Sequence, residues 1–369
     1  LSHFNALSVK SDIIWIYLNS RGVILLAKVK PFKKLKSNVK SPKKNIFKDL
    51  RSVEILTNNL TSKFKQNHDS IGINLDTNLI FKILSKTFAN IKLTKINNEC
   101  DLNALAKRKP KLVFSGIKYF DFETKKIWLN EFLDLYEINY ISSKKSSYDN
   151  VHDKSFAKII MQNNNINTAK FFITKPKKHL NSLSIPVKFP LFVKPLSGGD
   201  SIGIDQNSIV NNFEEFEKKV LDIYFNQNSN SIAETYLSGK EYSVGILQDV
   251  STNNLIAMPI EIIVKEDVHG NNILDYHTKK NDLETVCSVR DPIIYKKISE
   301  LAKIAFVLLK GRLFGRIDIK MDHKGIPYFI EANLMPGLQK GYFYRSCSIN
   351  LKMDYDQMIT KISENALNF

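Results

Sequence analysis

The best candidates for catalytic chemistry lie near the C-terminus, in a stretch that predicts a β-hairpin. In GRIDIKMDHKGIPYFIEANLMPG, residues 315–337, polar and apolar residues alternate on both sides of DHKG, which indicates two strands joined by a tight turn. If the turn is centred between K and G of DHKG, Asp318 lies opposite Glu331 with Cβ atoms about 5 Å apart. Asn333 follows Glu331 on the same strand face, and Arg316 precedes Asp318 in the same way.

Carboxylates that face each other across a sheet repel, so this arrangement needs a compensating charge. Bound Mg²⁺ would provide it, because this ion prefers oxygen ligands and keeps water and phosphate oxygens in its shell. Asn333 would add an amide oxygen to the pair. The alternative is a solvated hairpin whose acids are paired by nearby lysines.

A second candidate is a glycine-rich loop that directly follows an apolar strand in FVKPLSGGDSIGI. Lys194 ends the strand, the glycines let backbone N–H groups approach a phosphate, and Ser201 can add a hydroxyl. The order Gly-x-x-x-x-Gly-Lys-Ser/Thr of a P-loop is absent, as is a strand followed by Gly-x-Gly-x-x-Gly. Taken alone, the loop fits an ordinary strand-loop-strand turn equally well.

The elements that would position these residues follow from hydrophobic periodicity. Strands alternate with a helix from about residue 53 to residue 115, which indicates a βαβ-type unit. Helices are then predicted over residues 125–138 and 151–166, and strands of an antiparallel or mixed sheet over residues 232–264. A long helix at 292–309 precedes the hairpin, a last helix lies near 354–367, and the sequence contains no internal repeat.

Five stretches in order resemble the ATP-grasp superfamily, and within it the D-alanine–D-alanine ligase group: VHDKSFAK, FPLFVKPLSGGDSIGI, AETYLSGKEYSVGIL, DYHTKKND and the hairpin. The similarity runs from about Lys111 to the C-terminus. It implies an α/β and α+β protein with an ATP-grasp fold and a Rossmann-like pre-ATP-grasp domain. The implied divisions are a basic extension at 1–50, the pre-ATP-grasp domain at 51–146, and central and C-terminal ATP-grasp subdomains at 147–238 and 239–369.

The resemblance also implies a role for individual residues. ATP phosphates would be held by Lys154 and Lys194, the adenine by the segment from Glu234 to Leu237, and the ribose by Glu241. Two Mg²⁺ ions (or Mn²⁺) would be held by Asp318, Glu331 and Asn333. Arg316 would steady the transferring phosphoryl group or the tetrahedral intermediate, and Lys279 would belong to a mobile loop over the site.

The sequence departs from the family at the positions that bind amino acids. VEILTNNLTSKF lacks the Glu that usually holds the amino group of the first substrate. Asp200 replaces a Ser of the glycine loop, and Lys280 replaces a Tyr of the mobile loop. Tyr342 stands near the position of a Ser that usually contacts the carboxylate of the second substrate.

The composition limits the other classes of function. At 369 residues, with 43% hydrophobic and 25% charged residues, the chain fits a globular protein of two or three domains. Three cysteines without paired spacing argue against a disulfide framework or a zinc site and favour a reducing cytoplasm. No stretch predicts a membrane span.

The net charge of +17 is concentrated at the N-terminus. Residues 1–50 carry 11 basic and 2 acidic side chains, without a clear helical or strand period. Such an arm could bind nucleic acid or anionic lipid, or could be a solvated tail. Because no aromatic-interleaved basic strand or zinc-finger spacing accompanies it, we expect no nucleic-acid partner.

The function predicted from these features is an ATP-dependent carboxylate–amine ligase that forms an amide bond through an acyl phosphate, similar to D-alanine–D-alanine ligase. Its partners would be an amino acid or other small carboxylate and an amine, with a homodimer possible. One alternative is a ligase for another dipeptide or an amino-acyl conjugate. Another is a nucleic-acid or membrane-surface binding protein built on an inactive ligase body.

Overall fold

The computed structural model describes residues 6–9, 12–18, 24–28, 48–57, 72–122, 125–199, 201–266 and 270–369. Asp200 and the segment after VEILT therefore lie outside the described residues. The chain divides into two compact units, residues 1–47 and 48–369. The first unit contains a three-stranded antiparallel sheet, so the expectation of no strand period there is wrong. Its strands are β1 (Ala6–Val9), β2 (Asp12–Leu18) and β3 (Ile24–Lys28).

The second unit begins with a parallel sheet, as the alternation of strands and helices predicts. In chain order the elements are β4 (Asp49–Thr57), α1 (Thr77–Leu84), β5 (Phe88–Lys95), α2 (Glu99–Arg108), β6 (Leu112–Phe114), β7 (Tyr119–Asp121), β8 (Lys126–Trp128), α3 (Leu129–Leu135) and β9 (Asn139–Tyr140). The sheet order is β5-β4-β6-β9, and β7 pairs with β8 separately. Periodicity alone missed α2, although Asn98 caps it and acidic residues occupy its first turn.

A second sheet follows, antiparallel and four-stranded, in the order β10-β13-β11-β12. Its segment contains α4 (Lys145–His152), α5 (Lys154–Asn163), β10 (Phe171–Thr174), β11 (Leu191–Pro195), β12 (Ile209–Val210), α6 (Phe213–Gln227) and β13 (Ser231–Thr235). The single helix predicted over 151–166 is divided at Asp153. The backbone of Asp153 is extended. The Asp153 carboxylate caps α5, because it accepts hydrogen bonds from the N–H groups of Ser155 and Phe156.

The third sheet is antiparallel and five-stranded, in the order β16-β15-β14-β17-β18. Its segment contains β14 (Glu241–Asp249), β15 (Asn254–Ile263), α7 (Tyr276–Lys280), β16 (Thr285–Ser288), α8 (Pro292–Leu308), β17 (Phe314–Met321), β18 (Pro327–Asn333), α9 (Tyr342–Leu351) and α10 (Tyr355–Leu367). The sequence analysis predicted α8 and α10 but not α9. Within the described ranges, every helix is too short or too polar to span a bilayer.

The hairpin formed by β17 and β18 pairs Asp318 with Glu331, as predicted. The turn contains one residue fewer than predicted, because Met321 pairs with Pro327 and not with Tyr328. An irregularity after Asp318 shifts the register by one residue, which leaves Ile330 as the extra residue of a β-bulge. The bulge offsets the wrong turn centre, so the two acids still face each other.

Two apolar cores hold the second unit together around these sheets. One joins the parallel sheet to the C-terminal helices, with Ile55, Phe114, Phe343, Ile359 and Ile362 among its buried members. The other packs α8 and α5 against the five-stranded sheet and includes Met161, Val244, Phe306, Ile317 and Phe329. Ile317 and Phe329 of the second core fix β17 and β18 on the face opposite Asp318 and Glu331.

We predict that a chain beginning at Lys48 folds independently of residues 1–47. All elements of the parallel sheet and both of these cores lie after that residue, and β4 begins at Asp49. Thermal unfolding followed by circular dichroism should show one cooperative transition. A control chain beginning at Leu56 loses most of β4, which pairs with both neighbouring strands, and should not fold. Absence of a cooperative transition in the longer chain would contradict the prediction.

Candidate active site

A cavity of about 820 Å³, open to solvent, lies between the four-stranded and five-stranded sheets. Its walls come from β11, the glycine-rich loop, β13, β14, α7 and the hairpin. Eight of the residues predicted from the sequence line it: Lys194, Ser201, Glu234, Leu237, Glu241, Lys279, Asp318 and Glu331. The other three, Lys154, Arg316 and Asn333, stand directly behind or beside these residues.

Buried charges form the wall on the side of β11 and β13. Lys194 Nζ lies 3.0 Å from Glu234 Oε1, and both side chains are almost inaccessible to solvent. Glu234 Oε2 lies 3.1 Å from Nζ of Lys158, a residue that the sequence analysis did not select. Burial would raise the pKa of Glu234, but the two lysines keep that pKa below its usual value. The carboxylate is therefore ionised and shared between two ammonium groups.

The glycine-rich loop lies next to this wall and is held by Lys154. Lys154 Nζ donates a hydrogen bond of 2.7 Å to the carbonyl oxygen of Gly198. Gly198 and Gly203 have φ values of 94° and 78°, which only glycine adopts without strain, and Ser201 has a φ of 57°. Burial lowers the pKa of Lys154. The loop thus carries left-handed residues and a neighbouring cation at the entrance to the cavity.

Asp318 is already partnered within the protein. Arg316 donates to both of its carboxylate oxygens, at 3.0 and 2.8 Å, and Ser243 Oγ donates to Oδ1 at 2.7 Å. Burial would lower the pKa of Arg316, but the charge of Asp318 raises it above its ordinary value. The guanidinium is therefore a fixed cation that orients Asp318 from behind.

Glu331, which faces Asp318, is surrounded by positive charge. Burial by itself would raise the pKa of Glu331, but four cations near it lower that pKa to about 2. They are Lys154, Lys194, Lys279 and Arg316. The repulsion expected between the two facing acids is thus offset by side chains before any metal ion is considered.

The hairpin offers three oxygen-bearing side chains that fit a magnesium ion. Asn333 lies opposite Arg316 in the register, and its amide oxygen accepts a hydrogen bond of 3.1 Å from the Met335 backbone N–H. Among the residues that the structure describes, no three His, Cys, Asp or Glu side chains come together. Two carboxylates and one amide oxygen suit Mg²⁺, which takes few protein ligands and completes its shell with phosphate oxygens and water.

Glu241 faces the cavity from β14, but it is not free of protein contacts. Its Oε2 lies 2.9 Å from Nζ of Lys320, its partner in the β14–β17 register, and Lys320 also donates to the carbonyl oxygen of Asn272 at 3.3 Å. Leu237 is buried in the same wall. The polar and apolar residues that the resemblance implied for a nucleoside therefore line one region of the cavity, with Lys320 as an additional cation.

An aromatic ring also lines the cavity. Tyr342 begins α9, and its hydroxyl donates a hydrogen bond of 2.7 Å to Oε1 of the buried Glu284. Burial raises the pKa of Tyr342, and Glu284 raises it further, so the phenol stays protonated. Lys279 Nζ and Arg316 Cζ lie 5.7 and 5.6 Å from the ring centroid. The ring therefore separates a buried carboxylate from the two cations of the cavity.

Comparison with known proteins identifies the family. The family model described as D-ala D-ala ligase C-terminus matches residues 160–364, more than half of the chain. The chain belongs to the D-alanine–D-alanine ligase family. This confirms the resemblance, the ATP-grasp fold and the class of ATP-dependent, Mg²⁺-using ligases.

Individual relatives are moderately similar. D-alanine–D-alanine ligase B of Clostridium perfringens is 26% identical over 240 residues, which are 64% of this chain and 75% of the relative. The D-alanine–D-alanine ligase of Buchnera aphidicola is 33% identical over 181 residues, 48% of this chain and 55% of the relative.

Solved structures of the family share the fold. The D-alanine–D-alanine ligase of Bacillus anthracis complexed with ATP has a TM-score of 0.63 at 20% identity, covering 86% of this chain and 97% of that one. The VanG D-Ala:D-Ser ligase of Enterococcus faecalis has a TM-score of 0.60 at 18% identity, covering 86% of this chain and 100% of that one.

Three groups at the site of this ligase-family protein were missed from the sequence. Lys158 lies four residues after Lys154, one helical turn further along α5, and this spacing was an available signal. Lys320 is two residues beyond Asp318 on the same strand face. The contact between Glu284 and Tyr342 joins residues 58 apart in the chain, and no local pattern indicates it.

We predict that Glu331→Gln destabilises the ligand-free protein above pH 5 by about 3 kcal/mol, since one pKa unit corresponds to about 1.4 kcal/mol. The folded pKa is depressed, so the stabilisation is present above the unfolded value near 4.5 and is lost as the pH falls towards 2. The free energy of unfolding would be measured in urea for wild type and variant without nucleotide. The difference between the two free energies should decrease from pH 5 to pH 3.

The matched control is Glu300→Gln, an exposed carboxylate of α8 that lies 3.9 Å from a lysine. The free energy of unfolding of this control should differ from that of wild type by no more than about 0.5 kcal/mol at each pH, as for an ordinary surface substitution. A constant wild-type–Glu331→Gln difference across this pH range would contradict the electrostatic account.

Proposed function

We propose that the protein joins a small carboxylate to an amine at the expense of ATP, with D-alanine–D-alanine ligation as the reaction named by its relatives. The observation that carries the proposal is the cavity in which two facing acids, a glycine-rich loop and a set of buried cations converge. ATP supplies the phosphoryl group that activates the carboxylate as an acyl phosphate, which the amine can then attack.

In this proposal different parts of the cavity bind different parts of the nucleotide. Lys154 and Lys194 hold the phosphates beside the glycine-rich loop, to which Ser201 adds a hydroxyl. The segment from Glu234 to Leu237 contacts the base, and Glu241 contacts the ribose. This assignment is supported by the cavity lining and by the Lys154–Gly198 hydrogen bond.

The hairpin residues would stabilise the charge that moves during transfer. Asp318, Glu331 and Asn333 would hold Mg²⁺, and Arg316 would stay beside the transferring group because it is already fixed by Asp318. Such preorganised charges lower the barrier without reorganisation at the moment of reaction. Lys279 on α7 would cover the acyl phosphate and limit its contact with water.

An amine acceptor other than D-alanine is the second candidate, and one observation favours it. The hydroxyl of Tyr342 is committed to the buried Glu284, and Arg345 lies 2.5 Å from Asp282. The side of the cavity that would receive the acceptor therefore presents a phenyl ring where the family usually has a serine. The alternative of a nucleic-acid or membrane-surface binding protein on an inactive body is not favoured, because the side chains that would hold phosphates and a metal ion line the cavity or lie beside it.

We predict that Asp318→Asn abolishes Mg²⁺-dependent release of phosphate from ATP, with a loss of at least about a hundredfold in kcat, because it removes a negative ligand from a site that gathers a polyanion. The reaction would be measured with a panel of amino-acid pairs. Glu300→Gln, outside the cavity, should retain wild-type turnover. Turnover within threefold of wild type in Asp318→Asn would overturn the metal assignment.

We also predict that D-alanine as sole substrate gives a kcat/KM more than about tenfold below that of the best pair in the panel. A substrate carboxylate left without its partner costs about 2–5 kcal/mol. Tyr342→Ser should raise kcat/KM for D-alanine and leave the KM for ATP unchanged. Tyr342→Phe keeps the ring and should not raise kcat/KM for D-alanine. A wild-type kcat/KM for D-alanine within tenfold of the best pair would refute the prediction.

A further inference from the structure

Lys158 is a buried cation that the proposed reaction does not use. It lies on α5 with its side chain fully inaccessible, and it does not line the cavity. Its ammonium reaches Glu234 Oε2 at 3.1 Å, Thr168 Oγ1 at 2.9 Å and the carbonyl oxygen of Phe329 at 3.5 Å. These partners belong to three different segments of the fold.

On one side, Lys158 acts on the phosphate wall through a shared carboxylate. Glu234 has one oxygen directed to Lys158 and the other directed to Lys194, at 3.0 Å. Each oxygen of the carboxylate therefore lies at ion-pair distance from a buried ammonium group, and the Coulombic attraction at both oxygens restricts how far Glu234 and Lys194 can move. The position of Lys194 in the cavity therefore depends on a contact made outside it.

On the other side, Lys158 acts on the strand that carries the metal candidates. Phe329 lies on β18 two residues before Glu331, and its carbonyl oxygen also accepts a hydrogen bond of 3.1 Å from Thr168. Lys158 thus links β13 of the four-stranded sheet to β18 of the five-stranded sheet. The cavity lies between these two sheets.

Burial of Lys158 disfavours its charged form. Burial lowers its pKa to about 8, even though Glu234 opposes that shift. Groups of matched volume without charge often stabilise a core more than a buried ion pair does, so stability alone does not account for a lysine here. A role in fixing geometry does account for it.

We propose that Lys158 is a positioning residue, which acts through Glu234 to set Lys194 at a fixed place relative to Glu331 on β18. The inference rests on the proposed use of ATP and Mg²⁺. It assigns no contact with substrate to Lys158. Its prediction is energetic coupling between two lysines, only one of which faces the cavity.

The test is a double-mutant cycle of Lys158→Met and Lys194→Met, with titration calorimetry of a non-hydrolysable ATP analogue in Mg²⁺. Each single variant should weaken binding at least about tenfold, since each leaves Glu234 with one cation fewer. The double variant should bind no more than about twofold more weakly than Lys194→Met, because the second change acts through a contact already lost. The Mg²⁺ concentration for half-maximal binding should also rise in Lys158→Met.

The matched control is Arg108→Met, which removes the cation that pairs with Glu54. Glu54 is another buried carboxylate, but it lies on β4 and does not line the cavity. The control variant should lower stability and leave affinity for the analogue unchanged. If Lys158→Met does not fold, Thr168→Val keeps every charge and removes the hydroxyl that accepts a hydrogen bond from Lys158 and donates one to the carbonyl oxygen of Phe329. It should weaken binding about threefold to tenfold, and unchanged affinity would overturn the inference.

The outcomes separate this inference from the proposed function. Wild-type protein that does not bind the analogue would refute both. Wild-type binding with additive effects of the two lysine variants, or with unchanged affinity in Lys158→Met, would refute the positioning role alone. Coupled effects with an unaffected Arg108→Met control would support it.

Discussion

The arrangement of the cavity depends on one electrostatic constraint, the gathering of several buried charges of both signs without leaving any of them uncompensated. Charges withdrawn from water are tolerated only when each has an opposite partner at short distance. Here Lys158, Glu234, Lys194 and Glu331 alternate in sign from the interior towards the cavity, and Arg316 with Asp318 forms a second pair beside them. Lys154 and Lys279 also act on Glu331, so together with these two lysines the group has a net positive charge that a bound polyanion can compensate.

The backbone geometry follows from that constraint. Two acids can face each other only if the register of β17 and β18 is fixed, and here the bulge at Ile330 brings them opposite each other after a turn that would otherwise misplace them. β14 contributes Ser243 to Asp318 and Glu241 to Lys320 from the neighbouring strand. Packing of α8 and α5 on this sheet then prevents the register from slipping, since a slip of one residue would turn the charged face into the core.

The sequence allowed the order of the motifs and the chemical types at the site to be predicted, because these depend on local pattern. It predicted the pairing of Asp318 with Glu331 from a wrong turn centre, and the bulge made the result correct. It did not predict Lys158 or the contact between Tyr342 and Glu284. In a chain with 54 basic residues most lysines are solvated, and the four-residue spacing from Lys154 is too common to single out Lys158 without its contact with Glu234. The division of α4 from α5 at Asp153 was missed because a cap and an interior helical residue look alike in hydrophobic periodicity.

The distribution of retained and altered groups has a physical explanation. In the proposed function, the residues that would hold the phosphates and the metal ion meet charges that are the same for every ATP-dependent ligation, so a change there would leave a buried charge unpaired. In the same proposal, the residues around Tyr342 would meet only the acceptor, and a ring can replace a hydroxyl there if the surrounding polar groups find other partners. Two of these polar groups have such partners, because Glu284 accepts a hydrogen bond from the Tyr342 hydroxyl and Arg345 forms an ion pair with Asp282. Under the proposed function, Tyr342 and Arg345 already have partners within the protein, whereas Lys154, Lys194, Lys279 and Arg316 all act on Glu331. The proposal therefore places the selection of the acceptor at α9 and not at the hairpin.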